Sequence, residues 1–292
     1  MTSVDGLRRR FLPVLAAALL PFGIAAADPA VWAVTGRTNT VYLFGSVHLL
    51  REGGFGIAGE LERAYRDAEL VCFEVDIGAL TPATTLSVTL ARAVDPEGRG
   101  LYDLLGPSAA RVREAAAAAE IDLAQFEFFE PWFAGMSASV MALQQHGYTA
   151  DHGVEQIIQR AAQLDGKHGC GLETLDQQLA VLDGMPADQQ LELLLQSLEE
   201  AAQIEVEVKR LFKAWQDGDD RSLARSLEED FADYPDLAER LIYARNERWA
   251  GQVAALLEGN EDALVVVGAL HLVGEQGLPA KLKRRGFRIE RH

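Results

Sequence analysis

The chain has 292 residues, of which 49% are hydrophobic and 24% charged, enough apolar material for one full-sized core. A formal net charge of −17 at pH 7 repels phosphate backbones, so nucleic acid is excluded as a partner. The acidity reads as solvated surface.

At the start, Arg8-Arg9-Arg10 precedes an apolar run from Phe11 to Ile24, broken by two prolines, and then Ala25-Ala26-Ala27. This is the pattern of a signal peptide over residues 1–27, cleaved near Ala27-Asp28. Its loss removes three Arg and one Asp, so the net charge goes from −17 to −19. No later run reaches the roughly 18 apolar residues of a membrane span. The expectation is a periplasmic or secreted protein with no stable membrane insertion after cleavage; the alternative is that the segment stays on as an uncleaved anchor.

The chain from Asp28 opens with two extended stretches, Ala30 to Thr35 and Thr40 to Phe44, around the turn Gly36-Arg37-Thr38-Asn39, which predicts a β-hairpin. The second runs into Gly45-Ser46-Val47-His48. Ile57, Leu61, Ala64, Tyr65 and Ala68 then recur at helical spacing, and Leu70 to Val75 is a short apolar strand carrying Glu74. From Leu101 to about Gln163 the pattern is helical, interrupted at Glu130-Pro131-Trp132, with a further helix opening at Gly153-Val154-Glu155. A strand at Cys170 to Leu172 ends at Glu173. Residues 175 to 257 are again mostly helix, Ala263 to Val267 is a buried strand ending in Gly268-Ala269-Leu270-His271, Leu278 to Arg285 a helix and Phe287 to Glu290 a last strand. With no linker or low-complexity tract, residues 28–292 form one domain. It is a mixed α/β fold, whose central sheet comes from the N- and C-terminal parts, flanked by helices and with a large helical middle section.

Ligand sites in such sheets gather at the carboxyl ends of strands. Four predicted strands end there in a polar group: His48, Glu74, Glu173 and His271. In each Gly-x-x-His the glycine lets the chain turn sharply off the strand and frees the imidazole to face the crevice. Two His and one or two Glu match the ligand inventory of a divalent metal, and equally suit a metal-free acid–base pair. Arg245 and Arg248 lie one helical turn apart; they either hold an oxyanion or pair at the surface with Glu247 or Glu239. Asp76 is a supporting carboxylate or a cap. Ser46 lies in no G-x-S-x-G elbow, and no H-E-x-x-H occurs. Cys72 and Cys170 could pair if their two strands were neighbours; the expectation is that they are buried free thiols.

Tyr42-Leu-Phe-Gly-Ser-Val-His-Leu49, Phe73-Glu-Val-Asp76, Glu130-Pro-Trp132, Gly153-Val-Glu155, Gly171-Leu-Glu-Thr174 with Gln178, Arg245-Asn246 and Val267-Gly-Ala-Leu-His-Leu-Val-Gly274 together resemble, in order, the motifs of the TraB/GumN family. That family is related to the Tiki metalloproteases and more distantly to erythromycin esterase and ChaN-like proteins. The loop Gly53-Gly54-Phe55-Gly56 departs from it, standing where a proline-containing segment is expected. The resemblance implies one site containing both histidines, with His48, Glu74 and His271 as metal ligands and manganese or cobalt as the ion. It also implies a site role for Glu173, Arg245 and Asn246. On the combined reading, Glu173 is a candidate base and Arg245 stabilises negative charge in an exported, metal-dependent, protease-like hydrolase. Its substrate would be a peptide or small molecule. The alternatives are a metal-free His/Glu esterase-like hydrolase, and a non-catalytic periplasmic protein binding a small ligand or haem-like group.

Overall fold

A computed structural model describes residues 29–201, 204–232 and 234–292. The expected signal peptide lies outside the described residues. Among them, no helix is long and apolar enough to cross a membrane.

The strands are β1 (Val31–Thr35), β2 (Thr40–Ser46), β3 (Leu70–Val75), β4 (His168–Glu173), β5 (Ala263–Gly268) and β6 (Arg288–Arg291). They form one sheet in the order β4-β3-β5-β2-β1-β6. β1 pairs antiparallel with β2 as the predicted hairpin, and β6 antiparallel with β1. The inner pairings β2–β5, β5–β3 and β3–β4 are parallel. Thus the two Gly-x-x-His strands, from opposite ends of the chain, are direct neighbours: Gly45 lies opposite Val267 and Ser46 opposite Gly268. Every residue of β5 is buried, as a central parallel strand covered on both faces requires.

Side chains alternate between two cores. On one face Phe44, Phe73, Leu264 and Val266 pack with Leu61, Ile158 and Trp215; on the other Leu43, Cys72, Val265 and Val267 pack with Trp249, Val253 and Leu282. The covering helices include α1 (Gly59–Asp67), α2 (Pro82–Ala93), α3 (Leu101–Leu105), α4 (Ala109–Ala118), α5 (Pro131–Gln145) and α6 (Val154–Leu164). After β4 come α7 (Leu175–Asp183), α8 (Ala187–Glu200), α9 (Ile204–Gln216), α10 (Asp220–Asp230), α11 (Pro235–Ala238), α12 (Ala244–Leu256) and, after β5, α13 (Leu278–Arg284). Within the helical middle, Ala134, Ala138 and Ala142 of α5 meet Leu194 and Leu198 of α8. Gly135 belongs to that contact, since a Cβ on it would lie 2.9 Å from the Leu194 Cα. Helix α2 was not announced by apolar spacing because only its last residue, Ala93, is buried.

Two expectations are corrected. Cys72 and Cys170 are not free thiols: they face each other in the β3–β4 register and form a disulfide, with Cα atoms 4.4 Å apart. Nor do the glycines of the two Gly-x-x-His segments serve a sharp turn, for neither takes a positive φ. Gly45 is there for close approach: a Cβ on it would lie 2.9 Å from the Ala269 Cα, where the chain leaves β5.

The disulfide closes a loop of 98 residues. Replacing both cysteines by alanine is therefore expected to cost about 4 kcal/mol, lowering the melting temperature by roughly 10 °C in a calorimetric scan.

Candidate functional site

The site forms where β2, β3, β4 and β5 end together. Glu74 Oε1 accepts the Gly268 N–H at 2.7 Å, so a β5 main-chain donor orients the β3 carboxylate. Its Oε2 accepts from Arg245 Nη2 at 2.5 Å and from Gln178 Nε2 at 3.1 Å. Arg245 also spans to β4, donating to Glu173 from Nη2 at 2.6 Å and from Nε at 3.1 Å. Both glutamates and the guanidinium are buried, so of the two alternatives for Arg245 the surface pairing with Glu247 or Glu239 does not occur; Glu247 instead bonds Lys281 and Arg285. A π-helical turn, Glu239–Tyr243, widens the chain just before α12, and Arg245 Nη1 donates to Leu241 O within it at 2.9 Å. The guanidinium lies 4.5 Å from the centre of the Trp249 ring.

Asn246 settles the state of His271. Its Nδ2 donates to the carbonyls of His271, at 3.2 Å, and Gln276, at 2.9 Å, which leaves Oδ1 as an acceptor for His271 Nδ1–H at 2.7 Å. The Nε2 lone pair of His271 therefore faces the site, 3.2 Å from Arg245 Nη1 and 3.8 Å from Glu74 Oε1. Burial, which outweighs the pull of Glu74, holds the His271 imidazolium down to about 3, so the ring is neutral.

His48 behaves oppositely. Its Nδ1 lies 2.5 Å from Glu155 Oε1, an oxygen that also accepts the Ser46 hydroxyl. The Glu155 charge pushes His48 up to about 9 despite the surrounding protein, so without another cation it carries a proton at pH 7. The side chain is still 61% exposed, at the mouth of a cavity of about 200 Å³ walled by Phe73, Glu74, Ile77, Glu155 and Gln178. Burial alone would raise Glu74; the Arg245 guanidinium, the His48 imidazolium and the Gly268 N–H reverse this and hold it below the usual carboxylate range.

These contacts converge at Gly268. A Cβ there would lie 3.2 Å from Glu74 Oε1 and 3.5 Å from both His48 Nε2 and His271 Cδ2. All six sequence-predicted residues, His48, Glu74, Glu173, Arg245, Asn246 and His271, thus stand in one connected cluster. Glu173 has both oxygens on Arg245, with Arg248 Nη2 a further 3.5 Å away. Asp76 caps the turn after β3, accepting from Gly78 and Ala79 N–H.

Sequence reasoning assigned no role to Glu155. Its signal was the Gly153-Val154-Glu155 opening of α6: Val154 N–H bonds Val47 O at 3.1 Å, and a Cβ on Gly153 would lie 2.2 Å from His48 O. The helix start is thereby pinned to the main chain of His48, and the acid in its first turn meets the imidazole.

The donor set suits a divalent cation in type and orientation. Each imidazole has Nδ1 held by an acceptor, Glu155 or Asn246, leaving Nε2 for an ion, the arrangement that fixes metal-ligating histidines. Among the described residues no three such donors stand at ligand spacing, and Arg245 Nη1 occupies the space at His271 Nε2. An ion would take that contact and leave Nη1 its bond to Leu241 O.

A profile of the TraB/PrgY/gumN family matches residues 30–291, and the chain belongs to that family. It is similar to the uncharacterized protein YbaP of Escherichia coli K12, at 23% identity over 87% of this chain and 92% of that protein. The Shigella flexneri YbaP is 28% identical over 52% of this chain and 56% of its own length. No solved structure matches the chain.

In metal-free protein, ¹⁵N spectra of the imidazoles are expected to show His271 as the neutral Nδ1–H form from about pH 8 to about pH 4, and His48 losing its proton near 9. Since the unfolded chain would protonate His271 near 6.5, its neutrality withdraws stability as pH falls from 6.5 towards 3. A charged His271 at about pH 5 would show that Asn246 and burial do not set the ring.

Proposed function

We propose that this member of the TraB/PrgY/gumN family is an exported hydrolase that adds water to a carbonyl in the crevice over Gly268, with a divalent cation held by His48, Glu74 and His271. The observation that carries the reading is the convergence of His48 Nε2, the His271 ring edge and Glu74 Oε1 on a residue with no side chain, with His271 Nε2 3.8 Å from that oxygen. When bound, the cation would polarise the carbonyl and lower the pKa of a water.

The chain's own groups do the rest. Glu155 and Asn246 hold the two rings so that only Nε2 is presented. Gly268 N–H and Gln178 fix the two oxygens of Glu74. Arg245, pinned by Glu173 and stacked on Trp249, keeps a permanent positive charge where a carbonyl oxygen becomes negative. In this arrangement Glu173 positions Arg245, and the role of base passes away from it. Export is supported by the disulfide, which persists in oxidising compartments, and by the small residues before Asp28.

The Arg245–His271 contact favours a second, metal-free reading. Here the His48 imidazolium, held by Glu155, gives its proton to the leaving group and takes one back from the water that has added, and Arg245 alone supports the oxyanion.

Calorimetric titration with Mn²⁺, Co²⁺ and Zn²⁺ separates the two. One ion per chain is expected, lost in His48→Ala and in His271→Ala, with about one proton released near pH 7 as His48 gives up its own. No binding by a folded wild type would end the cation reading. Hydrolysis of peptide or ester substrates that survives chelators, yet falls roughly 100-fold or more in His48→Ala and Glu155→Gln, would establish the metal-free one. Protein recovered from the periplasm or medium is expected to begin at Asp28 by intact mass; an intact N-terminus there would contradict cleavage.

A further inference from the structure

The two edges of the sheet are built differently. At one end, β6 reads Arg288-Ile289-Glu290-Arg291, three charges in four residues, the usual defence of an exposed edge against pairing. At the other end, β4 reads His168-Gly-Cys-Gly-Leu-Glu173 and carries no Lys, Arg, Asp, Glu or Pro before its final residue. His168, Gly169 and Gly171 are exposed, and among the described residues the nearest neighbour of the two glycines outside the sheet is Asp76, in the turn after β3.

The ladder shows which main-chain groups are free. His168 N–H is bonded to Glu69 O, on the β3 side. In a parallel pair alternate residues turn both N–H and C=O to the same neighbour, so Cys170 and Leu172 face β3 with His168. Gly169 and Gly171 then turn theirs outward, and neither is bonded outside the ladder among the described residues. Unpaired donors and acceptors on an uncharged edge are a template for another strand. This edge also leads into the site: it ends at Glu173, bonded to Arg245, and five residues further on Gln178 lines the cavity.

We propose that the β4 edge docks an extended polypeptide segment, which pairs with the main chain of Gly169 and Gly171 and is delivered by them to the crevice at Glu173. This names the substrate class of the hydrolase as unfolded or extended protein chain, and in that respect it rests on the reading above; the pairing itself does not require turnover. The absent side chains fit the role. The two glycines add no side chains of their own, with the Asp76 carboxylate the nearest beside Gly169, so recognition falls on the partner's backbone and tolerates many sequences.

The test uses the purified protein and a fluorescein-labelled, reduced and alkylated lactalbumin, an unfolded chain offering many extended segments. Gly169→Pro removes one outward N–H at a position where an edge strand accepts proline. Gly169→Ala is the control: it keeps the N–H, and its Cβ would lie 3.4 Å from Asp76 Oδ1, an ordinary contact. Binding is expected in the wild type and in Gly169→Ala, weakened about fivefold or more in Gly169→Pro. Hydrogen exchange at Gly169 and Gly171 is expected to slow when the probe is added.

Equal binding by a folded Gly169→Pro, or unchanged exchange at both glycines, would overturn the proposal. So would protection that grows with protein concentration in the absence of probe, with a dimer in sedimentation, since the edge would then pair two copies of the chain. Binding without cleavage in wild type and in His48→Ala would uphold the docking edge while the hydrolase reading fell. Hydrolysis of small substrates with no probe binding would do the reverse.

Discussion

Arg245 is the group on which the arrangement of the site depends. Glu74 and Glu173 come from adjacent strands, and each is buried; a guanidinium bonded to both makes that burial tenable. Taking a permanent cation out of water is costly in itself, and the planar fork offsets the cost by meeting two carboxylates, a main-chain carbonyl and an imidazole lone pair at once. The geometry of the other residues follows from this hub. Glu74 is turned so that its second oxygen meets Gly268 N–H, and Glu173 has both oxygens turned to the guanidinium. The π-helical turn before α12 contributes the carbonyl that holds one Nη1 hydrogen, the other facing His271 Nε2.

The opposite states of the two histidines come from their depth and not from their motif. Both sit in a Gly-x-x-His segment at the end of a buried parallel strand. His271 is enclosed and has a neutral amide for a partner, so desolvation governs it; His48 stands at the rim against a carboxylate, so charge governs it. A pair of identical motifs thus yields one neutral and one cationic ring within reach of the same carboxylate oxygen. That asymmetry gives the crevice a direction, with a fixed lone pair on its inner wall and an exchangeable proton on its outer one.

Much of this was legible in the residues. The apolar run of Ala263 to Val267 gives a central strand, alternation gives the hairpin, and strand-end polar groups give His48, Glu74, Glu173 and His271. What could not be read was anything decided by register. Cys72 and Cys170 are unremarkable until β3 and β4 are aligned, when they prove to be opposite one another. Glu155 looks like an ordinary acid in a first helical turn until Val154 is tied to Val47 O. Arg245 and Arg248, one turn apart, are equivalent in sequence; only the packing of α12 buries the first and leaves the second 54% exposed. The sharp-turn reading of Gly45 failed for the same reason, since the residue that crowds it, Ala269, is more than two hundred positions away.

The place of β5 between β2 and β3 has a consequence for how the chain acquires its structure. β2 and β3 are separated by only 23 residues, yet the strand that joins them is residues Ala263–Gly268. Until that strand is available, both inner edges of the sheet lack a partner, and His48 and Glu74 have no common scaffold. Closing this gap is a contact of very high sequence separation, the kind that slows folding. A nascent chain therefore cannot join β2 to β3 before residues Ala263–Gly268 have been synthesised, and until then the two parts of the sheet have no shared strand.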